Sequence, residues 1–189
     1  MKKLLLVLLL ALPAAMPAWG QNEEYAVLIK QGMKALEADS LSKAETIFLR
    51  AIAIKPADKG SAALYRYVGQ VRTRQGRAQE ALEAFNSALQ LVPDAREVLM
   101  DRASLNIQMG RNSHALNDLN DLLTLNPDHP EALFFRAYIY AGQHLNAKAR
   151  ADYERLVTLQ DVHRRRWRHS ILPCNLYRMP VRCSWTGLR

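Results

Sequence analysis

Apolar and polar positions repeat along this chain in a unit of about 34 residues, and each unit contains two stretches with helical spacing. In one such stretch Ala44, Ile47, Phe48, Ala51 and Ile52 follow the spacing i, i+3, i+4, i+7, i+8, which places them on one helix face. No segment alternates with the period of two that indicates a half-buried strand. The pattern predicts an all-α fold. First helices are predicted at about 24–37, 61–75, 95–108 and 129–142, and second helices at about 43–55, 78–92, 112–126 and 146–160.

The same residue classes recur at fixed offsets in all four units. Each first helix carries a small residue, followed twelve residues later by an alanine and sixteen residues later by a large apolar side chain. The small residues are Gly32, Gly69, Ala103 and Ala137. A proline ends the first three units, and Asp161 stands at that position in the fourth. Small residues allow two helices to approach closely, large apolar residues fill the space between them, and proline stops the second helix.

This combination resembles the tetratricopeptide repeat (TPR) family, whose helix–turn–helix unit stacks into a solenoid, and the resemblance covers roughly residues 24–160. It implies a right-handed α-solenoid of about four repeats, placed at about 25–58, 62–95, 96–129 and 130–160 in one domain over 21–160. It also implies a scaffold that binds a protein or peptide on its concave face. No enzymatic activity, cofactor or metal is expected, because the sequence lacks a glycine-rich phosphate loop, HExxH and GxSxG.

The resemblance implies a binding groove lined by the first helices. Aromatic anchors and arginines for a carboxylate suit an extended or helical peptide. The groove residues obtained by translating one first helix onto the next are Lys30, Met33, Arg66, Tyr67, Gln70, Arg74, Met100, Asp101, Ser104, Phe134, Phe135 and Tyr138. Two structural interpretations stay open. In the first, Phe134, Phe135 and Tyr138 pack against a neighbouring repeat. In the second, Arg66 and Arg74 pair with Asp101 or Glu97.

The carboxylate clamp that the family uses for chaperone C-termini is not expected in this chain. That clamp uses Lys, Asn, Asn, Lys and Arg on three successive first helices. These positions fall here on Ile29, Met33, Tyr67, Glu97 and Asp101, so none matches and two carry the opposite charge.

The first 20 residues have the pattern of a secretory signal peptide. Lys2 and Lys3 precede an unbroken apolar run over 4–12, and Ala18 and Gly20 supply small residues at a cleavage site. The run is shorter than the roughly 20 residues that span a bilayer. We expect cleavage after Gly20, a mature chain without a transmembrane helix, and a periplasmic or otherwise exported location.

Residues 161–189 differ sharply in composition from the repeats. They hold seven arginines, both cysteines (Cys174 and Cys183) and two of the three tryptophans, but no Lys, Glu or Ala. Two hypotheses account for this change: a disordered appended segment, or an out-of-frame end that interrupts a longer array. A disulfide between the cysteines is compatible with export. The histidines and cysteines of this segment lack zinc-finger spacing, so no metal site is expected.

The net charge of +8 does not indicate a nucleic-acid binder. Residues 21–160 contain 17 Lys and Arg against 17 Asp and Glu, so the repeats are neutral overall. The excess positive charge lies in the signal sequence and in the tail over 161–189. Contact with a membrane surface is possible only through Arg164, Arg165, Arg166 and Arg168, whereas counterion release on nucleic acid needs a basic stripe on the folded face.

Turn and cap signals fit the predicted helices. Gly76 and Gly110 lie where the two helices of a unit must turn, Asp39 does so in the first unit, and Gly142 begins this turn in the fourth. Two aspartates that follow the prolines, Asp94 and Asp128, are predicted to cap the next helices.

Two groups of titratable residues receive structural interpretations. His114, His129 and His144 lie at turns or helix starts without a nucleophile nearby, which indicates solvated or capping histidines. Asp118 and Asp121 share a predicted helix at i, i+3 and are placed on its solvent side.

The end of the array supports a second function. A solenoid needs a polar cap on its last repeat, and the unit that would cover the helix at 146–160 is replaced by the arginine-rich tail. The alternative is therefore a structural or assembly subunit of a cell-envelope complex that docks through its uncapped C-terminal repeat, with a truncated longer array as one origin.

Overall fold

A computed structural model describes residues 18–166, and the side chains of residues 22–159. The apolar run of the predicted signal sequence and the tail from residue 167 onward, with Arg168 and both cysteines, lie outside the described residues. The described part consists of eight helices and no strand, which confirms the all-α prediction. The helices are α1 (Ala18–Glu37), α2 (Leu41–Ile54), α3 (Ser61–Arg74), α4 (Ala78–Leu91), α5 (Arg96–Gln108), α6 (Asn112–Leu125), α7 (Pro130–Gly142) and α8 (Asn146–Arg166).

Contacts between the helices follow chain order, as expected of a solenoid. Each first helix (α1, α3, α5, α7) packs against the second helix of its own unit, and each second helix packs against the first helix of the next unit. Adjacent first helices also meet, as α3 and α5 do. Among the described residues, no helix is both long enough and apolar enough to cross a bilayer.

Within each unit, a large side chain of the second helix lies directly against the small residue of the first. Phe48 and Phe85 are almost completely buried, and their rings lie over Gly32 and Gly69. A Cβ built on either glycine would come within 2.5 Å of the phenylalanine ring. In the third unit the same positions hold Ala103 and Leu119, both fully buried in one apolar cluster.

Each unit turns between its helices through one residue with left-handed backbone. These residues are Asp39, Gly76, Gly110 and His144, at φ of 54°, 76°, 72° and 59°. The first three agree with the predicted turn positions. In the fourth unit Gly142 is the last residue of α7, and the left-handed conformation falls two residues later on His144.

The predicted N-caps at Asp94 and Asp128 are wrong. The cap of α5 is Ala95, and the cap of α7 is His129, whose Nδ1 accepts a hydrogen bond from the Ala132 amide at 3.3 Å. Asp128 instead accepts a bond from Arg155 Nε at 2.9 Å. Each aspartate lies one residue before the actual N-cap, because each helix begins one residue further from the preceding proline than the prediction placed it.

Two buried ion pairs link three successive helices each. Arg102 of α5 donates to both Asp118 carboxylate oxygens of α6, at 3.0 and 2.6 Å, and to Asn86 of α4 at 2.7 Å. One repeat later, Arg136 donates to Asp152 of α8 at 2.8 and 2.7 Å and to Asn120 of α6 at 2.8 Å. Hydrogen bonding to Asp152 raises the pKa of Arg136.

The placement of Asp118 on the solvent side is therefore wrong, whereas Asp121 is exposed. Asp118 is buried because a guanidinium on the neighbouring helix compensates the cost of removing its charge from water.

A related network joins the first two units. Glu45 of α2 is buried and accepts bonds from Arg72 Nε at 2.7 Å and from Arg77 Nη1 at 2.6 Å. Burial alone raises the pKa of this carboxyl, but the hydrogen bonds from Arg72 and Arg77 outweigh burial and hold the pKa below its usual value. Glu80, which also binds Arg77, has a lowered pKa from that bond.

The contact between Gly69 and Phe85 gives a first prediction. Gly69→Ala should destabilise the protein by about 1–3 kcal/mol in urea unfolding, because the added methyl group overlaps a buried ring. Gly142→Ala is the matched control, since a Cβ there meets nothing within 4 Å. Adding Phe85→Leu to Gly69→Ala should recover part of the loss by reproducing the pairing of the third unit. A double variant as unstable as the sum of both single variants would contradict this account.

The network around Glu45 predicts a pH dependence of stability. The pKa of Glu45 is lowered on folding from its ordinary value of 4.5, so its stabilising contribution is complete above about pH 4.5 and is lost as the pH falls through the lowered pKa. Urea midpoints measured between pH 7 and pH 3 should therefore fall less steeply in Glu45→Gln than in the wild type. Equal slopes would show that Glu45 is not the group that titrates.

The left-handed residue of the fourth turn gives a third prediction. His144→Gly should raise the free energy of unfolding by about 0.5–1 kcal/mol, because glycine adopts positive φ without steric cost. The same change at His114, within α6, should instead destabilise by about 1 kcal/mol. Thermal unfolding of both variants is the measurement, and destabilisation by His144→Gly would contradict the prediction.

Candidate functional site

The structure divides the predicted groove residues into three groups. The surface concerned is the groove face, defined as the side of α1, α3, α5 and α7 that carries the twelve predicted residues. Some of these side chains pack into the core, some line a polar cleft, and some form an aromatic patch. Two residues belong to none of these groups: Lys30 lies exposed on α1, and Arg66 of α3 pairs with Asp101.

Four of the predicted residues are mainly core residues. Met33 and Tyr67 are half-buried against the cluster of the first two units, and the Tyr67 ring stacks on Phe48 with centroids 5.4 Å apart. Met100 and Phe135 are half-buried against the cluster of the last two units. These side chains shape the floor of the groove face and present little surface to a ligand.

A cleft of about 280 Å³ lies on the groove face between α3 and α5, and it is called the polar cleft here because six of its eight lining residues are polar. Gln70, Arg74, Asp101 and Ser104 line this cleft, so one third of the predicted site is brought together in one place. Phe85 and Leu105, both buried, contribute apolar lining. The remaining lining residues are Thr73 and Gln108.

Arg66 and Asp101 form the ion pair that the structural interpretation anticipates. Asp101 accepts bonds from Arg66 Nε at 2.6 Å and from Gln70 Nε2 at 2.8 Å. Both charged side chains of the pair are largely buried. The negative charge of Asp101 is thus balanced by Arg66 of α3. Asp101 in turn holds Gln70 at the edge of the cleft.

Arg74 has a different partner from the two that the sequence suggests. Its Nη2 donates to Asp39 Oδ1 at 2.5 Å, in the turn between α1 and α2. The side chains of Arg74 and Asp39 are 52% and 75% exposed, so water competes strongly with this pair. The guanidinium can therefore exchange Asp39 for an incoming acceptor at little cost.

An aromatic patch lies on α7, the next first helix after the two that line the cleft. Phe134 and Tyr138 of α7 are 48% and 59% exposed. Phe134 makes edge-to-face contacts with Phe135 and with Tyr153 of α8, with ring centroids 5.6 and 6.5 Å apart. The packing interpretation thus holds for Phe135, whereas Phe134 and Tyr138 keep accessible surface.

Sequence reasoning missed two features of this region. Thr73 lines the cleft because it lies one turn beyond Gln70 on α3, and helical spacing from Gln70 was the available signal. The pairing of Arg74 with Asp39 depends on the path of the first turn, which the repeat period does not encode. In the part of the chain with described side chains, His, Asp and Glu residues nowhere gather in a group of three that could hold a metal ion.

Comparisons with known proteins agree with this architecture. A profile described as the tetratricopeptide repeat matches residues 29–96 and 100–162. A tetratricopeptide repeat protein from Parabacteroides merdae is 34% identical with a TM-score of 0.70 over 74% of this chain, and this chain spans 54% of that protein. No curated protein matches this sequence.

Two more distant solved structures share the fold. MamA from Desulfovibrio magneticus is 16% identical over 72% of this chain and 75% of its own, with a TM-score of 0.66. YrrB, described as a TPR protein with an unusual peptide-binding site, is 16% identical over 75% of this chain and 74% of its own, with a TM-score of 0.62. The matched profile covers well over half of the sequence, and each of its two matches extends over two successive helix pairs of the structure. This chain belongs to the tetratricopeptide repeat family.

Proposed function

We propose that this protein is a scaffold that binds a protein or peptide through its groove face, which corresponds to the concave face of the solenoid. The observation that carries this proposal is the presence of a polar cleft between α3 and α5 and of an exposed aromatic patch on α7, the next first helix. The peptide-binding site in the description of YrrB gives the same kind of function to a protein of this fold. We also propose that the protein acts after export, on the basis of the signal pattern of residues 1–20.

The two parts of the groove face suit different portions of an extended peptide. Gln70, Ser104 and Gln108 supply amide and hydroxyl groups that pair with a peptide backbone. Arg74 adds a donor for a carboxylate, and the rings of Phe134 and Tyr138 receive an apolar side chain.

The spacing of the helices sets the length of such a peptide. Neighbouring packed helices lie about 8–10 Å apart, so a ligand that crosses from α3 to α7 spans about 20 Å. An extended chain covers this distance with about six residues.

A second candidate function is assembly through the C-terminal end of the array. Val157 of α8 is 57% exposed, whereas Leu123, which occupies the same position one repeat earlier, is 7% exposed. The difference arises because α7 covers Leu123, while no described helix covers Val157. An apolar side chain at that position favours a docking surface.

The groove proposal predicts a specific loss of peptide binding. A phage library of random 12-residue peptides, selected on the purified protein, should yield peptides whose affinity falls by about tenfold in Arg74→Ala and in Tyr138→Ala. Both side chains are exposed, so the loss reflects binding and not unfolding. Fluorescence anisotropy with labelled peptides is the measurement.

Arg50→Ala supplies the matched control for this experiment. Arg50 is an exposed arginine of α2 with an exposed carboxylate partner, Glu24, and it lies outside the groove face. Selected peptides should bind this variant as they bind the wild type. Peptides that respond to Arg50 but not to Arg74 or Tyr138 would place the site elsewhere, and a library without enriched peptides would argue against the proposed function.

A further inference from the structure

Helix α8, the last helix of the described residues, carries the surface on which a next repeat would pack. This end face consists of Tyr153, Glu154 and Val157 of α8. Tyr153 is 36% exposed, whereas Leu119, its counterpart one repeat earlier, is fully buried. Together with Val157, it leaves an apolar stripe one helical turn long at the end of the array, and Tyr153 also contacts Phe134.

The end face includes a position that receives an arginine in the preceding repeats. In α4 this position is Asn86, which accepts a bond from Arg102 of the following helix, and in α6 it is Asn120, which accepts one from Arg136. The same position in α8 is Glu154. A carboxylate binds a guanidinium more strongly than an amide oxygen does, so α8 is well suited to accept an incoming arginine.

The two helices that cover an asparagine at this position share one pattern. In α5 the arginine Arg102 is preceded by Val98 at i−4 and followed by Leu105 at i+3, and both apolar side chains are buried. In α7 the corresponding residues are Ala132 and Ile139, on either side of Arg136, and both are buried. At the first junction the position in α2 is the apolar Leu49, and α3, which packs against α2, carries the apolar Val68 at the arginine position. The array therefore indicates the ligand of a face with a polar group at this position: a helix with an arginine between two apolar residues at this spacing.

The first helix of a second copy does not have this pattern. At the three positions α1 carries Val27, Gln31 and Lys34, so a glutamine replaces the arginine and a lysine replaces the second apolar residue. Docking of α1 on the end face would leave Glu154 without its arginine and bury an unpaired ammonium against Val157. Head-to-tail self-assembly is thus disfavoured by charge and polarity.

We propose that the end face of α8 binds an amphipathic helix of another protein, with an arginine directed at Glu154 and apolar residues at i−4 and i+3 that cover Tyr153 and Val157. This inference rests on the second candidate function and names the class of partner. Before docking, Glu154 accepts a bond from Arg150 Nε at 2.6 Å in an exposed pair. The carboxylate has two oxygens, so a partner arginine binds alongside Arg150 or displaces it.

The test uses a helical peptide that carries the pattern. A fluorescently labelled, helix-constrained peptide with the sequence of residues 94–110, which contains Val98, Arg102 and Leu105, is titrated with the full-length protein. We expect saturable binding that is about tenfold weaker with Glu154→Arg and with Val157→Lys. Glu83→Arg, a charge reversal at another exposed glutamate, should leave the affinity unchanged.

A charge swap decides whether the arginine meets Glu154. The same peptide with Arg102→Glu should bind the wild type about tenfold more weakly and should regain affinity for Glu154→Arg. Recovery would support the proposal, because it requires the two side chains to be in contact. Equal loss in every combination, or binding that ignores position 154, would overturn it.

Light scattering of the full chain separates failure of this inference from failure of the second candidate. If the peptide does not bind but the wild type forms oligomers that Val157→Lys abolishes, the end face is a docking surface whose occupant is a second copy, and the proposed partner is wrong. If the peptide does not bind and the mass is that of a monomer for both proteins at every concentration, the inference and the second candidate both fail.

Discussion

The close approach of the two helices within a unit is the contact on which the rest of this structure depends. Gly32 and Gly69 leave room for a phenylalanine ring of the second helix, and no Cβ fits in that space. This contact fixes the separation and angle of the helix pair, and each pair is the surface on which the next one packs. In the third unit the residue of the first helix is larger, alanine in place of glycine, and the residue of the second helix is smaller, leucine in place of phenylalanine. Ala103 and Leu119 lie in the same cluster. What recurs from one unit to the next is therefore the combined volume of the two side chains in contact, and not their residue types.

Polar contacts then fix how successive units sit on one another. Apolar clusters alone tolerate sliding and rotation of one helix pair on the next, because the hydrophobic effect is non-directional. The guanidiniums of Arg102 and Arg136 are directional, and each reaches an asparagine of the previous unit and an aspartate of its own. Glu45 serves the same purpose at the first junction, through Arg72 and Arg77. In each case the burial of a charge is acceptable only because its partner arrives from a neighbouring helix.

These constraints leave two surfaces whose side chains are exposed and are not covered by another described helix. On the groove face, Arg74, Phe134 and Tyr138 keep exposed surface, whereas Tyr67 and Met100 are taken up by the core. At the end of α8, the next helix of the series would be required to cover Val157. The first surface suits an extended chain and the second suits a helix, so the two proposed functions differ in the secondary structure of the partner as well as in place.

The sequence by itself determined the eight helices, their turns and the small-to-large contact, because these features depend on side chains within one repeat and return at a fixed period. It also placed Gln70, Arg74, Asp101 and Ser104 on one face, where they do line a single cleft. Only the tertiary structure decided that Asp118 is buried and that Arg74 binds Asp39. A helical period gives the direction in which a side chain points, but the partner of a polar group depends on distances between helices. Those distances are set by the packing of the whole array, and that is why the sequence offered the Arg66–Asp101 pair only as one interpretation and did not give the partners of Asp118 or Arg74.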